Sequence, residues 1–523
     1  MHTISTDIII AGGGLAGMSL ALQLNIKNPA LNIVIIEKNT FPVPATTAKV
    51  GESTVEIASH YFTEVLGLKE HFEKHHLKKH GLRCFFGEKD GDYSQSDELG
   101  VSELFGIPTY QIERGTLENH LYELLSARGI TIVDGASTND FEIGNNSHSV
   151  SCSKNDEQFL YKGRWLVDAA GRQALLRTKL DLHKKTDHKG NAIFFRVDKK
   201  IIIDQWSNSS QWQQRVAEPG TRWLSTNHLM GPGYWIWIIP LGSGATSFGI
   251  VLDDEALMQS KIESFDDTMA WLRKEHPKCA QSLEDAPLMD FHILEDYSYD
   301  CKKMFSADGW ALTGVAGTFS DPFYSPGSDF IAIGNTFITQ LIEKDFQGED
   351  IRLDSALYQK FYSSFFENTL SLYQHQYGGF GDRKMMSIKL VWDYSFYWGV
   401  LTLLFFTGTI TNIESMRLLN PKLLRAQTLN QKMQGLLIQR AQKRLVLPAK
   451  GIFMDQFLVP CLKQFNDVLK NNNIDVEQSL ESNIVLMEKI SLHLAAMLKE
   501  EPPQNISEDE KAVLGNYRRS VLA

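Results

Sequence analysis

The chain has 523 residues, more than one compact core accommodates, and at ~100–200 residues per domain it predicts two to four units. Hydrophobic content of 43% and charged content of 22% are those of a globular protein, and a net charge of −11 argues against general nucleic-acid binding, which needs clustered Lys and Arg. The five cysteines are scattered without a CxxC pair, which excludes a disulfide framework and a zinc site; together with an apolar start that runs straight into a glycine turn, they predict a cytoplasmic protein.

In chain order, Asp7 to Ala11 is an apolar strand, Gly12-Gly13-Gly14-Leu15-Ala16-Gly17 a turn, and Met18 to Leu24 an amphipathic helix. Asn32 to Ile36 is a second strand, ending at Glu37. Strand, glycine turn, helix and strand make a βαβ unit with a parallel sheet. Leu117, Leu121, Leu124 and Leu125 recur at helical spacing and predict a helix over Arg114 to Ala127. Short β-rich segments fill roughly 80–110 and 190–300, including Ala192 to Val197 and Ser247 to Val251. Beyond about residue 350 the pattern is helical, ending in a polar tail, Glu500 to Asn516, expected to be mobile. Tyr394 to Ile413 carries no charge and has the length of a membrane span, about 20 residues. Its dilution by Ser and Thr favours a buried helix lining a hydrophobic pocket over membrane contact.

Gly12, Gly14 and Gly17 form GxGxxG. The first glycine permits the tight turn, the second lets backbone approach a pyrophosphate, and the third allows close helix–strand packing. The helix N-terminus then offers free N–H groups to the phosphates, and Glu37 lies where a carboxylate accepts hydrogen bonds from a ribose. Lys49-Val50-Gly51-Glu52-Ser53 reads locally as a loop with a helix N-cap at Ser53 or Thr54. Lys78-Lys79-His80-Gly81 reads locally as solvated charge. In the strand Tyr234-Trp235-Ile236-Trp237-Ile238-Ile239-Pro240, Trp235 and Trp237 share one face, with Tyr234, Ile236 and Ile238 on the other.

Together these segments resemble the flavin-dependent halogenases of the tryptophan-halogenase-like superfamily, phenol/pyrrole-type branch, over roughly residues 5–340. The resemblance implies an α/β fold: an FAD-binding Rossmann-like (PHBH-like) domain, a β-sheet substrate domain and a C-terminal helical region. The FAD-binding module falls at about 1–80, 110–190 and 300–350, the substrate sheet at about 80–110 and 190–300, and the mostly helical region at 351–523. It assigns FAD contacts to Gly12, Gly14, Ala16, Gly17, Glu37, Lys49, Arg114, Asp168 (in Trp165 to Arg172), Asp321, Ser325 and Gly327. Glu52 and Ser53 belong to the family's KVGES-type turn beside the flavin ring.

Trp235, Trp237 and Pro240 become a partition between flavin and substrate, and Lys79, with Lys78 as runner-up, the amine that hydrogen-bonds hypohalous acid or forms a haloamine. Such an amine must be neutral, which burial or nearby positive charge favours. Gly327 and Ser328 fall at the halide-binding turn, although Pro326 has no N–H to offer there. Tyr324 stands where the tryptophan-halogenating branch has a glutamate, which points to an electron-rich phenol-like or pyrrole-like substrate, free or carrier-tethered. Val315 stands where relatives carry the aspartate for the ribityl hydroxyls, a role partly open to Asp321. FADH2 from a separate reductase, O2 and chloride or bromide complete the implied reaction. A flavin monooxygenase acting without halide and a non-catalytic flavin-binding partner remain as alternatives.

Overall fold

The computed structural model describes residues 2–46, 49–87, 91–471, 473–499 and 507–522, residue 522 by its backbone alone. The chain divides into two compact units, Met1–His76 with Ile112–Thr186 and Ser298–Glu367, and Leu77–Gln111 with Asp187–Tyr297 and Asn368–Ala523.

The first unit is built on a six-stranded sheet. Its order is Phe305–Ser306, Trp310–Leu312, Trp165–Asp168, Ile8–Ala11, Ile33–Ile36, Thr131–Val133, parallel except for the first pair. Strands Ile8–Ala11 and Ile33–Ile36 are apolar at every position because helices cover both faces of a parallel sheet. Ile8, Ile9, Ile10, Val34, Ile35 and Val167 are accordingly buried. The glycine turn leads into helix Leu15–Lys27, which packs on helices Arg114–Ala127 and Gly327–Phe346. The unit also holds a four-stranded sheet, His2–Ser5, Glu157–Gly163, Ser147–Lys154, Ser137–Gly144, and a two-stranded one, His183–Lys185 with Tyr299–Cys301.

The second unit contains an eight-stranded mixed sheet: Leu288–Leu294, Asn191–Val197, Thr246–Leu252, Tyr234–Pro240, Thr226–Gly231, Leu82–Phe86, Asp97–Gly100, Phe453–Asp455. One face buries Ile236 and Ile238 with Ile193, Phe195, Phe248 and Ile250 against Met269, Leu272, Ala280 and Leu283 of the helices that follow. The other face carries Trp235 and Trp237. The last strand comes from the C-terminal region, which is therefore not wholly helical.

Helix Arg383–Phe396 passes through a π-helical turn, Tyr397–Thr402, into Leu403–Phe406. The uncharged stretch is thus a largely buried helix as far as Phe406, and beyond it a turn and the short 3-10 segment Thr409–Thr411, with Gly408 and Asn412 exposed. Asn483 Nδ2 donates to the Gly399 carbonyl at 2.9 Å, and a Cβ at Gly399 would press on the Phe465 ring at 3.1 Å. Among the described residues no helix is long and apolar enough to cross a membrane. Two local expectations are corrected. The helix after the KVGES-type turn begins at Glu56 with Val55 as its cap residue and no side-chain cap, so neither Ser53 nor Thr54 caps it. Of the tail expected to be mobile, 500–506 lie outside the described residues, whereas Glu508–Leu514 is a helix capped by the Ser507 side chain, with Val513 and Leu514 buried.

Candidate functional site

The glycine turn shows three different environments. Gly12 has φ +115°, and a Cβ there would run into the backbone of Ala169–Ala170. A Cβ on Gly17 would run into the Gly12 carbonyl, so this glycine sets the helix–strand approach. At Gly14 an added Cβ meets nothing within 4 Å. A turn closed at its first and third glycines and open at the second fits a pyrophosphate laid on the helix N-terminus. Glu37 is fixed beside it. Its Oε2 accepts from Gly13 N at 2.7 Å, and its Oε1 accepts from Asn39 N and Nδ2 at 2.8 and 2.7 Å.

Ala16 is held from below. Its carbonyl accepts from Asn335 Nδ2 at 3.1 Å, and the same amide reaches Ser19 Oγ and Tyr61 Oη. Asn335 Oδ1 accepts from Thr313 at 2.6 Å. This buried polar knot joins helix Gly327–Phe346 to the glycine-turn helix.

Lys49 and Arg114 meet on a residue that sequence reasoning missed. Glu118, fully buried, takes Lys49 Nζ on Oε2 and Arg114 Nη2 on Oε1 at 2.8 Å. Its position four residues after Arg114 on one helix was the available signal. Arg114 Nη1 donates to the Val50 carbonyl at 2.9 Å, while its buried Nε has no hydrogen-bond partner among the described residues. The Glu52 carbonyl accepts from Ile112 N at 2.7 Å, which fixes the start of the turn, and the Glu52 and Ser53 side chains are buried.

Asp168 ends its strand with both carboxylate oxygens on its own turn, accepting from Ala170 N at 3.0 Å and Leu176 N at 2.7 Å. Burial pushes its carboxyl up to about 6 despite those bonds. Asp321 Oδ1 likewise accepts from Phe323 N at 2.8 Å. The Val315 carbonyl accepts from Tyr299 Oη at 2.6 Å.

Between Asp321 and helix Gly327–Phe346, Tyr324 and Ser325 both adopt left-handed backbone, φ +67° and +60°. Two consecutive non-glycine residues there cost on the order of 1–2 kcal/mol each, a strain that recurs at functional turns. Pro326 is the cap residue, and the first-turn N–H groups of Gly327 and Ser328 have no carbonyl of their own helix to bond. Asp329, one residue on, accepts from Ala58 N at 2.9 Å and pins this helix start to helix Glu56–His60.

In the second unit, Lys78 is exposed and Lys79 is buried, at 5% exposure. The Lys79 N–H donates to the Thr109 carbonyl at 2.8 Å, and Gly81, at φ +69°, turns the chain into strand Leu82–Phe86. Trp235 and Trp237 are buried side by side with ring centroids 5.8 Å apart. Trp237 Nε1 donates to Ser247 Oγ at 3.2 Å, and its indole covers Gly249, where any Cβ would collide with it. Pro240 ends the strand opposite Thr246. His228, also missed from sequence, stands against Trp235 at 5.2 Å between ring centroids. Burial first, and then the charge of Lys79, bring its pKa down to about 3.

The model of the FAD binding domain matches residues 5–266. A flavin-dependent halogenase of Dictyostelium discoideum is 27% identical over 370 residues, 64% of this chain and 60% of that protein, so the chain aligns with under two thirds of that relative's length. A 1H-pyrrole-2-carbonyl-(peptidyl-carrier protein) chlorinase of Pseudomonas fluorescens is 26% identical over 349 residues, covering 61% of this chain and 72% of that protein. Among solved structures, halogenase PltM in complex with phloroglucinol and FAD superposes with a TM-score of 0.70 at 14% identity, covering 91% of this chain and 96% of that one.

Proposed function

The chain belongs to the FAD-binding domain family, in its line of flavin-dependent halogenases, and on that premise we propose that it halogenates an electron-rich aromatic using FADH2 from a separate reductase, O2 and chloride or bromide. The observation that carries this reading is the burial of Lys79, but not Lys78, in the unit that holds the paired tryptophans.

The reduced flavin, when bound, supplies the electrons that allow O2 to oxidise halide to hypohalous acid. The chain's own residues do the rest. The turn Gly12–Gly17 and the N-terminus of helix Leu15–Lys27 receive the pyrophosphate, and Ala16 sits in that first turn. Glu37 receives the ribose. Arg114, with Lys49 locked to it through Glu118, orders the KVGES-type turn, whose Glu52 and Ser53 would face the flavin ring. Asp168 shapes the turn against Gly12, and Asp321, Ser325 and Gly327 form the segment along the ribityl chain. The free first-turn N–H groups of Gly327 and Ser328 hold halide at the positive end of a helix dipole.

Trp235, Trp237 and Pro240 exclude bulk water and keep oxidant from organic substrate, and Lys79 holds the hypohalous acid, as hydrogen-bonded acid or haloamine, for transfer to a ring oriented beside it. Tyr324 in place of a carboxylate fits a ring that needs no added activation. The carrier-bound pyrrole of one relative and the phloroglucinol of a structural neighbour, both electron-rich, support a phenol-like or pyrrole-like substrate, free or carrier-tethered.

Mass spectrometry of products from phenols, pyrroles and indoles, with FAD, a flavin reductase, NADH and either halide, tests this. Halide-dependent addition of chlorine or bromine is expected. Oxygen addition independent of halide, the monooxygenase reading that Val315 and Pro326 favour, contradicts it.

A further inference from the structure

The eight-stranded sheet ends differently at its two edges. One edge is the three-residue strand Phe453–Asp455, and the other is the seven-residue strand Leu288–Leu294, whose outer side pairs with no other described strand. The strand inside it, Asn191–Val197, is buried at every residue, whereas no residue of Leu288–Leu294 is. Leu288 and Met289 are 43% and 45% exposed. An edge of that length turns a row of N–H and C=O groups outward and is a template for one more strand.

Pairing with Asn191–Val197 is regular from Asp290 to Leu294, and Met289 is the extra residue of a bulge. Phe291 and Ile293 pack on the core face that holds Ile236. Asp290 and His292 stand on the tryptophan face. Asp290 accepts from Arg196 Nη1 at 3.1 and 3.2 Å, and His292 stacks on Phe194 at 5.1 Å between ring centroids, with Phe194 in turn 6.4 Å from Trp237. Within the strand His292 Nε2 lies 4.0 Å from Asp290 Oδ1, and the two side chains are 41% and 19% exposed.

The edge is complementary to its own reverse. Read outward from Phe291, Leu-Met-Asp-Phe-His-Ile-Leu has an acid on one side matched by a histidine on the other, and two apolar residues beyond each. A two-fold axis through Phe291 sets Asp290 of each copy opposite His292 of the other. Moving the axis one residue either way sets Asp290 against Asp290 or His292 against His292, so charge selects this register. The same axis brings the exposed Glu295 and Asp296 opposite Pro287 and Ala286, and no acid meets an acid.

We propose that Leu288–Leu294 is a homodimer interface, at which two copies of the chain pair these edge strands antiparallel about a two-fold axis through Phe291. Two eight-stranded sheets become one, and the aromatic row Trp235, Trp237, Phe194 and His292 of each copy runs toward the shared axis. An isologous pairing uses up the edge, so association stops at two. The bulge and the mid-strand Asp290 oppose pairing with strands at large, as devices of that kind do on exposed edges. In the reversed copy Asp290 meets a complementary group instead.

Sedimentation velocity of the full chain loaded with FAD, at rising protein concentration, tests this. The parent is expected to pass from monomer to dimer. His292→Glu puts two acids together twice across the axis and weakens the dimer about tenfold, whereas His292→Lys dimerises at least as tightly as the parent. A parent that stays monomeric at every concentration overturns the proposal and leaves the edge to a strand from another protein. A dimer that His292→Glu leaves intact overturns it as well, because the contact then lies elsewhere. Register is read with Phe291→Cys, which faces its own copy at the axis and is expected to give a covalent dimer on a non-reducing gel after oxidation; the five native cysteines are all buried. A Phe291→Cys protein that sediments as a dimer but does not cross-link overturns the register. Should Phe291→Cys not fold, the two substitutions at the part-exposed His292 decide alone.

Discussion

The glycine turn of the first unit and the tryptophan face of the second are held by different kinds of structure. Around Gly12–Gly17 the shape is local: four glycines within six residues, one strand before them and one helix after, with Glu37 hydrogen-bonded straight back to Gly13. Around Lys79 it is assembled from distant segments. Residues 79–81 are braced by 109 and by 224–226, His228 is placed by pairing with Trp237, and Trp237 fits because Gly249 on the next strand has no side chain. A local device tolerates few substitutions but announces itself in sequence. A device assembled by register is visible only once the strands are paired.

The largest effect on the first device is expected from Glu118→Ala. It leaves the part-buried Arg114 guanidinium and the one-third-exposed Lys49 ammonium without their shared carboxylate, a loss of about 3 kcal/mol. Thermal or urea unfolding checks it, and a loss under 1 kcal/mol would mean that the pair is solvated in practice. Next come two glycines that look equivalent in sequence. Gly17→Ala forces a methyl onto the Gly12 carbonyl and is expected to lose about 1–3 kcal/mol together with FAD binding. Gly14→Ala has room and ordinary φ, so the apoprotein melts within about 0.5 kcal/mol of the parent while FAD affinity drops, because only the cofactor would meet the methyl. Equal melting losses for both would refute the open-cradle reading. Flavin fluorescence titration reads the affinity.

A smaller, graded effect is expected from acid, and it reaches both regions. Burial first, then the charges of neighbouring histidines, hold His71 and His76 down to about 3, and burial does the same to His228. The unfolded chain takes protons up near the ordinary value of 6.5, and the folded chain only near 3. The unfolded state therefore binds more protons in between, and stability falls as pH drops through that window. Melting temperature is expected to decline from pH 7 to pH 5; a flat or rising profile would contradict the buried, neutral assignment.

What was legible in sequence follows the same division. The βαβ unit and the helix Arg114–Ala127 were readable because glycine spacing and the recurrence of leucines are local patterns. The uncharged stretch near 400 was readable as a buried helix because Ser and Thr dilute it below membrane apolarity. Val55 at the helix start was not readable, since the Ile112–Glu52 bond that shapes the turn comes from sixty residues away. Glu118 looked like one more polar residue on a helix, and its role depends on Lys49 arriving from a loop. The left-handed pair Tyr324–Ser325 has no glycine to announce it, because tertiary packing imposes a conformation that the residues do not prefer. His228 required a register that one sequence does not contain.

The central claim is that halogen reaches the substrate by way of Lys79. The most direct measurement follows halogenated product and scavenger-trapped hypohalous acid in the same reaction for the parent and Lys79→Ala, each loaded with FAD and supplied with reductase, NADH, O2 and bromide. The account predicts that trapped hypohalous acid persists in Lys79→Ala while halogenated product falls by roughly 100-fold. Product formed at the parental rate without the lysine would contradict it.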